Sequence, residues 1–402
     1  MPPLASRLAR VPPSATIAMT MRARELRAQG RQVISLSIGQ PDFDTPAHAI
    51  EAAHAAALRG ETKYPPVDGT PALKQAVQRK FARENGLEYA LDEIMVANGG
   101  KQVIYNAFMA TIDEGDEVIL PAPYFGAYRL IAQLCGGRVV EVACAQEDGF
   151  VLGPDRLAAA ISPRTRWLVL NYPNNPSGAA ATAEQIGALA EVLRRHPDVW
   201  ILSDEIYEHL IYEGWQNPSI AAIAPDLKDR VLTLNGVAKT YAMTGWRIGY
   251  GGGPRGLIRG MVNMQGQATS GACSIAQAAA AAALDGPQAV VAEQAAIYRR
   301  RRDMLVQMLR AADGMVCHRP EGAFYLYPDV GGLLGRRTPA GKLLANDEDV
   351  AMALLEEASV AVVQGAAFGL SPYLRISYAA EEAVLRVAAE RIVAFCAGLR
   401  AA

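Results

Sequence analysis

One lysine stands where an apolar strand is expected to end. The run 234–250, LNGVAKTYAMTGWRIGY, places Lys239 among small and weakly polar neighbours. Such neighbours remove water from the amine, which lowers its pKa and favours the neutral nucleophile that forms Schiff bases with aldehydes. Arg247, eight residues further along, carries a permanently charged planar fork that suits a phosphate group. An aldehyde-binding lysine beside a phosphate-binding arginine suggests pyridoxal 5'-phosphate.

Lys239 alone would not support this interpretation, because most lysines, roughly nine in ten, are solvated surface residues. Another motif follows an apolar run, and ligands of open α/β sheets bind at the carboxyl ends of strands. The run 201–207, ILSDEIY, ends a strand on Asp204, a half-buried carboxylate that needs a cationic partner such as a protonated pyridine nitrogen. Tyr207 would offer its hydroxyl to the phenolic oxygen of the same ring. An acid that caps the next helix is the plain alternative.

Two further loops follow predicted strands. The run 170–178, LNYPNNPSG, contains Asn175 and is also typical of an ordinary turn. The run 98–101, NGGK, opens a helix, so the bare amides of Gly99 and Gly100 would form a cradle for an anion such as a phosphate. A tight turn would explain the same glycines.

The run 251–256, GGGPRG, matches the glycine pattern of dinucleotide-binding folds. Those folds also require an acidic residue about 20 positions later, which binds the ribose. No acidic residue occurs in 257–284. We therefore reject dinucleotide binding.

The composition favours small-molecule chemistry. The chain has 402 residues, more than one hydrophobic core usually serves, and 51% of them are hydrophobic. Its 39 Lys and Arg residues against 41 Asp and Glu residues give a net charge of -2, which disfavours nucleic-acid binding through bulk electrostatics. The five cysteines form no CxxC pair and do not cluster with histidines, so we expect a reduced, cytoplasmic protein without structural metal. No signal peptide or membrane-crossing run is recognisable.

Strand-like and helical patterns alternate over about 47–296 and predict an α/β domain with a mainly parallel sheet. The last third is typical of a smaller α+β unit, and the boundary is expected within a continuous helix. We therefore predict a large domain at 47–296 and a second unit formed by 1–46 with 297–402. The predicted strands are 117–120, 138–142, 167–171, 199–204, 230–234, 247–251, 323–327, 361–363 and 373–378. The predicted helices are 100–112, 183–195, 292–309, 348–357 and 381–395.

Taken together, these residues resemble the class I pyridoxal-phosphate aminotransferases of the aspartate aminotransferase fold. Four motifs occur in order and at family spacing, namely SDEIY at 203–207, the lysine run 235–250, EGAFY at 321–325 and LRISY at 374–378. The resemblance extends over nearly the whole chain, from SAT at 14–16 and GQPDFDTP at 39–46 onward. It implies a fold type I pyridoxal-phosphate transferase that looks most like the bacterial aspartate and aspartate/prephenate branch. L-Aspartate and a 2-oxo acid such as 2-oxoglutarate are the implied substrates.

The resemblance assigns cofactor roles to individual positions. Lys239 would form the Schiff base and move a proton between the substrate Cα and the cofactor. Asp204 would keep the pyridine nitrogen protonated, so that the ring withdraws electrons. Contacts to the ring oxygen, the ring face and the phosphate are expected from Tyr207, Asn175, Phe125, Arg247, Gly99 and Gly100. Tyr64 of the KYP run at 63–65 would reach the phosphate from the neighbouring subunit of a homodimer.

Substrate contacts are implied in the same way. Arg375 would bind the α-carboxylate through two parallel hydrogen bonds, and the backbone of Gly39 would close over it. Lys101 matches a lysine that this branch associates with the distal carboxylate of acidic substrates, which favours aspartate and glutamate. Phe125 and Asn175 would also contact the substrate.

Three positions depart from the pattern of the branch. Phe125 stands where tryptophan is frequent, so the ring face is kept and an indole N–H donor is lost. Gly236 stands where many members have a serine hydroxyl for the phosphate. Pro12 stands where members that accept prephenate carry a lysine, which argues against prephenate.

Other functions remain open. An aromatic or prephenate aminotransferase is the nearest alternative. A pyridoxal-phosphate lyase of the same fold would use the same cofactor residues, although Lys101 together with Arg375 favours a dicarboxylic substrate. A transcription regulator with an aminotransferase-like sensor needs a DNA-binding domain, for which the motifs leave no room. The expected partners are therefore amino acids and 2-oxo acids, without nucleic acid or membrane.

Overall fold

The computed structural model describes residues 4–401. Its helices are α1 (Ala15–Ala28), α2 (Ala47–Leu58), α3 (Pro71–Lys80), α4 (Gly100–Thr111), α5 (Ala127–Leu134), α6 (Pro154–Ala160), α7 (Ala183–Arg194), α8 (Ile220–Ile223), α9 (Val237–Thr240), α10 (Arg255–Ala268), α11 (Ser274–Asp285), α12 (Ala289–Leu309), α13 (Asp347–Glu357) and α14 (Glu382–Gly398). Its strands are β1 (Ile34–Ser35), β2 (Ile94–Ala97), β3 (Glu117–Ala122), β4 (Arg138–Ala143), β5 (Thr165–Asn171), β6 (Trp200–Asp204), β7 (Val231–Gly236), β8 (Gly249–Gly252), β9 (Tyr325–Leu326), β10 (Val360–Ala361), β11 (Val363–Gln364) and β12 (Leu374–Ser377). Within these residues, no helix is both long and apolar enough to traverse a lipid bilayer.

A seven-stranded sheet organises the middle of the chain, with strand order β2-β8-β7-β6-β5-β3-β4. Strands β3 to β7 run parallel to their neighbours among themselves, whereas β8 lies antiparallel between β2 and β7. Alternate residues of β2 enter separate hydrophobic clusters, Ile94 with Val96 and Met95 with Ala97. Helices therefore cover both faces of the sheet, which explains why its central strands are apolar throughout.

The predicted mainly parallel α/β sheet is confirmed, and the strands predicted between 117 and 251 correspond to β3 to β8. One of these predictions is wrong at its start, because the strand expected from Arg247 begins at Gly249. Arg247 has a φ of 57°, a left-handed conformation that ends the preceding turn instead of starting a strand. The run 251–256 leaves β8 in the antiparallel direction, so it lacks the parallel strand and helix unit of dinucleotide-binding folds.

A second unit combines the N-terminal segment with the last third of the chain. β11, β12 and β9 form an antiparallel sheet, and β1 pairs in parallel with β10. One hydrophobic cluster joins Leu26 of α1 and Leu36 to residues of α12, α13 and α14. The proposed boundary at 296 falls inside α12, and the division into two domains stays a prediction.

Gly249 offers a test of how closely the start of β8 approaches the start of α4. A Cβ atom at Gly249 would meet the backbone of Gly99 and Gly100, whereas one at Gly256 in α10 would enter open space. Gly249→Ala should therefore cost about 1–3 kcal/mol through overpacking. The matched Gly256→Ala should gain about 0.4–1 kcal/mol by restricting the unfolded chain. Urea unfolding midpoints of the two variants should move in opposite directions, and equal shifts would contradict the close approach.

Candidate active site

The sheet brings the predicted site residues to one edge. Asn171, Asp204 and Leu234 lie side by side at the carboxyl ends of β5, β6 and β7. Because β8 runs the opposite way, its first residue, Gly249, pairs with Gly236 of β7 and with Ala97 of β2. The residues just before β8, which include Arg247, therefore lie at the same edge of the sheet as the residues that follow β5, β6 and β7.

Lys239 lies on α9, a four-residue helix that directly follows β7. Its Nζ donates a hydrogen bond to the carbonyl oxygen of Gly39 at 2.6 Å and lies 5.8 Å from the ring centres of Tyr207 and Phe324. Burial, followed by the charges of Arg375 and Arg247, lowers the pKa of Lys239 to about 8. The amine is therefore a much better nucleophile near neutral pH than an ordinary lysine.

Asp204 is a buried carboxylate at the end of β6. Its Oδ2 accepts a hydrogen bond from the Tyr128 hydroxyl at 2.6 Å, and its Oδ1 accepts one from the Ile206 amide at 3.2 Å. Burial raises its pKa to about 6 despite these bonds and the more distant charge of Lys239. Within residues 4–401, Asp204 forms no ion pair. A cation bound beside it would restore the charged carboxylate.

The start of α4 and the Arg247 guanidinium lie together at the place where the sequence predicts a phosphate cradle. Gly99 has a φ of 85° and precedes the first turn of α4, which leaves the helix N-terminus bare. The Arg247 guanidinium donates to the carbonyl oxygens of Thr244 at 2.8 Å and Asn98 at 3.4 Å. A Cβ atom at Gly99 would meet that guanidinium, and the φ of 85° favours glycine there in any case.

Arg375 is a buried cation that comes from β12 of the second unit. Its Nη1 donates to Asn175 Oδ1 at 3.0 Å and its Nη2 donates to the Ser37 carbonyl oxygen at 2.5 Å. The guanidinium lies between the rings of Tyr325 and Phe368, 4.8 Å from each centre. Its Nε has no hydrogen-bond partner among the described residues, so the group can still bind an anion.

Tyr207 and Gly39 surround the space between Lys239 and Arg375. The Tyr207 hydroxyl shares a 2.8 Å hydrogen bond with the Tyr325 hydroxyl, and burial raises the pKa of Tyr207 well above its ordinary value. Gly39 lies so close to Tyr325 that a side chain there would overlap the phenol. The loop at Gly39 therefore fits against the site only because it has no side chain.

Phe125 and Lys101 lie together at the rim of the site. The Lys101 Nζ is 5.7 Å from the Phe125 ring centre, and the edge-on ring of Tyr128 packs against Phe125 at 5.6 Å. Partial burial and the nearby charge of Arg247 lower the pKa of Lys101. Lys101 is thus a cation that no described carboxylate neutralises.

The structure brings together nearly all the residues singled out in the sequence. Tyr64 is the exception, because it is 94% exposed and contacts none of them. Three residues of the site were missed, Tyr128 beside Asp204 and Tyr325 and Phe368 around Arg375. Tyr325 ends the EGAFY motif, so the motif offered a signal for it, whereas no local pattern relates Tyr128 to Asp204.

These residues fit pyridoxal 5'-phosphate on three grounds. Asp204 is a buried acid without a cation, Gly99 and Arg247 form an anion cradle, and Lys239 carries an amine of lowered pKa. Arg247 and Asp204 both lie close enough to the Lys239 amine for their charges to shift its pKa. A pyridinium, a phosphate and an aldehyde would each meet a matching group.

Residues 31–392 match the family described as aminotransferase class I and II. The chain belongs to this family. It is 55% identical to an aspartate/prephenate aminotransferase of Cereibacter sphaeroides, over 98% of this chain and 99% of that relative. It is similar to the solved aspartate aminotransferase of Rhizobium meliloti, with a TM-score of 0.97, 52% identity and full coverage of both chains. The Thermus thermophilus aspartate aminotransferase with maleate gives a TM-score of 0.91 at 43% identity, over 98% of this chain and 100% of that one.

These findings confirm the predicted family, the fold and an aminotransferase activity. Membership in the class implies dependence on pyridoxal phosphate and turnover of amino acids and 2-oxo acids. The roles of individual residues of this aminotransferase stay predictions.

The lowered pKa of Lys239 can be measured on the cofactor-free aminotransferase. Because the shift is downward, the amine should become neutral, and reactive, as the pH rises through about 8. Reductive methylation of the peptide that contains Lys239, followed by mass spectrometry, should therefore be half-maximal near that pH. Exposed lysines in the same digest, with an ordinary pKa of about 10.4, are the internal control. Parallel profiles for Lys239 and these lysines would contradict the desolvated amine.

Proposed function

We propose that this aminotransferase uses pyridoxal 5'-phosphate to transfer the amino group of an L-amino acid, preferentially L-aspartate, to a 2-oxo acid such as 2-oxoglutarate. The arrangement of Lys239, Asp204 and Arg375 carries the proposal. It combines a partly neutral amine, a buried acid without a cation and a buried guanidinium with a free Nε. The names of the relatives support aspartate as the donor.

Each residue has a task that its surroundings permit. Bound pyridoxal phosphate would supply an aldehyde for the amino group and a ring that accepts electrons from the substrate Cα. Lys239 would hold and return the proton at Cα, since an amine with a pKa near 8 can do both near neutral pH. Asp204 would bind the positive charge of the ring nitrogen. Arg375, held by Asn175 and by Ser37, would orient the α-carboxylate.

Lys101 is the proposed determinant of substrate choice. Every amino acid has an α-carboxylate for Arg375, so a preference for aspartate needs a second cation at the distal carboxylate. Lys101 lies at the rim beside Phe125 without a carboxylate partner among the described residues. The Thermus thermophilus relative was solved with maleate, a four-carbon dicarboxylate, which is consistent with a site for two carboxylates.

Prephenate is a second candidate substrate, because the relative from Cereibacter sphaeroides is named for both aspartate and prephenate. The exposed Pro12 replaces the lysine expected in members that accept prephenate. We therefore rank prephenate below aspartate, together with aromatic amino acids.

The homodimer and the cytoplasmic location also belong to the proposal. The 94% exposure of Tyr64 supports a second subunit, because a tyrosine expected at a phosphate lies outside its own site. The five cysteines are free, as expected in a reducing compartment.

The residue assignments for the cofactor, including Gly100 and Phe125, are proposed on the geometry described above.

The role of Lys239 can be tested with purified protein. The wild type should show a visible absorbance band of lysine-bound cofactor, and Lys239→Ala should lose that band together with turnover of aspartate and 2-oxoglutarate. The expected cause is the loss of the group that moves the proton. Lys342→Ala, at a lysine paired with Asp349 in the second unit, is the matched control and should retain both. Normal turnover in Lys239→Ala would contradict the proposal.

Lys101→Ala tests the preference for aspartate. A charge-assisted hydrogen bond is worth about 1.5–3 kcal/mol, so kcat/KM for aspartate should fall roughly tenfold to a hundredfold. The values for alanine and for an aromatic amino acid should stay nearly constant. Initial rates for a panel of amino acids measure the difference. An equal loss for all substrates would place Lys101 at the cofactor instead.

A further inference from the structure

A buried polar cluster lies outside the residues that we assign to cofactor or substrate. We call it the Lys80 cluster, and its members are Lys80, Glu84, Asn85, Glu208, His209, Asn235 and Thr240. The Lys80 ammonium pairs with Glu208 and lies 3.6 Å from Glu84, although its side chain is only 1% exposed. Burying the Lys80 cation and the Glu208 carboxylate is costly in free energy, so such groups are often retained for another reason than stability.

Two branches of hydrogen bonds leave this cluster. In the first, Asn235 and Asn85 donate to the two carboxylate oxygens of Glu208 at 2.6 and 2.5 Å. In the second, His209 connects Glu84 to Thr240, with its Nε2 3.0 Å from Glu84 Oε2 and its Nδ1 3.2 Å from Thr240 Oγ1. Both branches end on residues near Lys239 in the chain. Asn235 lies next to the last residue of β7, and Thr240 follows the lysine directly.

The members come from three segments of the chain. Glu208 and His209 follow Tyr207, so they belong to the segment that carries Asp204 and Tyr207. Asn235 and Thr240 flank Lys239. The third segment is the π-helical turn Phe81–Asn85 at the end of α3, and such wide turns are rare and frequently occur at functional sites.

A metal ion is not needed to explain these groups. Ligand atoms of Glu84, Glu208 and His209 lie within 4.8 Å of one another, as a cation site would require. The Lys80 ammonium already pairs with both carboxylates and supplies the positive charge. Burial would raise the pKa of Glu84, but the bond from His209 and the charge of Lys80 bring it to about 2. The Glu84 carboxylate, which holds His209, therefore stays charged at every pH at which the protein would work.

We propose that His209 and Thr240 are positioning residues, which hold the Lys239 amine at a fixed place relative to Asp204 and Tyr207. The inference rests on the proposed function, in which Lys239 binds the cofactor. Helix α9 has four residues, too few to be stable without tertiary contacts. The Thr240 hydroxyl links this short helix to His209, and His209 is fixed in turn by Glu84. Through the Lys80 cluster, the lysine and its two partners become parts of one rigid unit.

Thr240→Val tests the inference, because it removes the hydroxyl and keeps the shape of the side chain. Two quantities would be measured, the rate at which pyridoxal 5'-phosphate is captured by Lys239 of the cofactor-free protein and the kinetics with aspartate. Capture would be fixed by borohydride and quantified on the Lys239 peptide by mass spectrometry. Displacement of a reacting group by about 1 Å can cost about a hundredfold, so we expect capture and kcat to fall roughly tenfold to a hundredfold with KM unchanged.

Four further variants make the result specific. Thr240→Ser keeps the hydroxyl and should restore both rates to within about twofold of wild type. His209→Asn should reproduce the loss, and the double variant should lose no more than either single one, because both remove the same contact. Thr111→Val is the matched control, since its hydroxyl accepts a hydrogen bond from Trp167 at 2.8 Å far along α4 from the site. It should lower thermal stability without changing capture or kcat.

A purely structural cluster would give a different pattern. If Thr240→Val lowers the melting temperature and leaves capture and kcat at wild-type values, the inference is overturned. If wild-type Lys239 is not captured at all, the proposed function fails first, and this inference fails with it. The two failures are distinguishable, because failure of the proposed function would be seen in the wild type and failure of this inference only in the variants.

Discussion

The balance of charge around Lys239 is the constraint on which the site depends. Burial lowers the pKa of this amine most, Arg375 and Arg247 lower it further, and Asp204 is the carboxylate that opposes them. Each arginine is fixed by backbone carbonyls or an amide, so neither can move away to relieve the repulsion. Anions relieve it instead. An excess of positive charge of this kind favours phosphates and carboxylates, because their charges reduce the repulsion among the cations.

The surrounding fold keeps these charges apart. Arg375 comes from β12 in the second unit, whereas Lys239 and Arg247 both lie in the connection between β7 and β8 of the central sheet. Asp42 of the loop that follows Gly39 forms a bidentate ion pair with Arg301 of α12, with both distances 2.8 Å. This pair ties the Gly39 loop to the helix that joins the two units. The loop that accepts the Lys239 hydrogen bond is therefore fixed from both sides.

The sequence predicted the parallel strands and the residues that follow them, because an apolar run that finishes on Asp204 and another that ends shortly before the loop of Asn175 are local signals. The motifs that the sequence shares with the aminotransferase family also indicated that Lys239 and Arg375 belong to one site. The start of β8 could not be predicted, since Arg247 adopts a left-handed conformation that an arginine in an apolar run does not indicate. Tyr128 was missed for a related reason. Its hydrogen bond to Asp204 spans 76 positions, and no local pattern records a contact of that kind.

The connection between β7 and β8 has a consequence for how this chain can vary. Gly236 and Gly249 are paired in the sheet, so the segment between them has both ends fixed in space. Lys239 and Arg247 both lie on it, one near each end. An insertion or deletion here would change the separation of the two groups even if every side chain were kept. Changes in length should therefore be disfavoured in this connection, because its length sets the distance between the two groups.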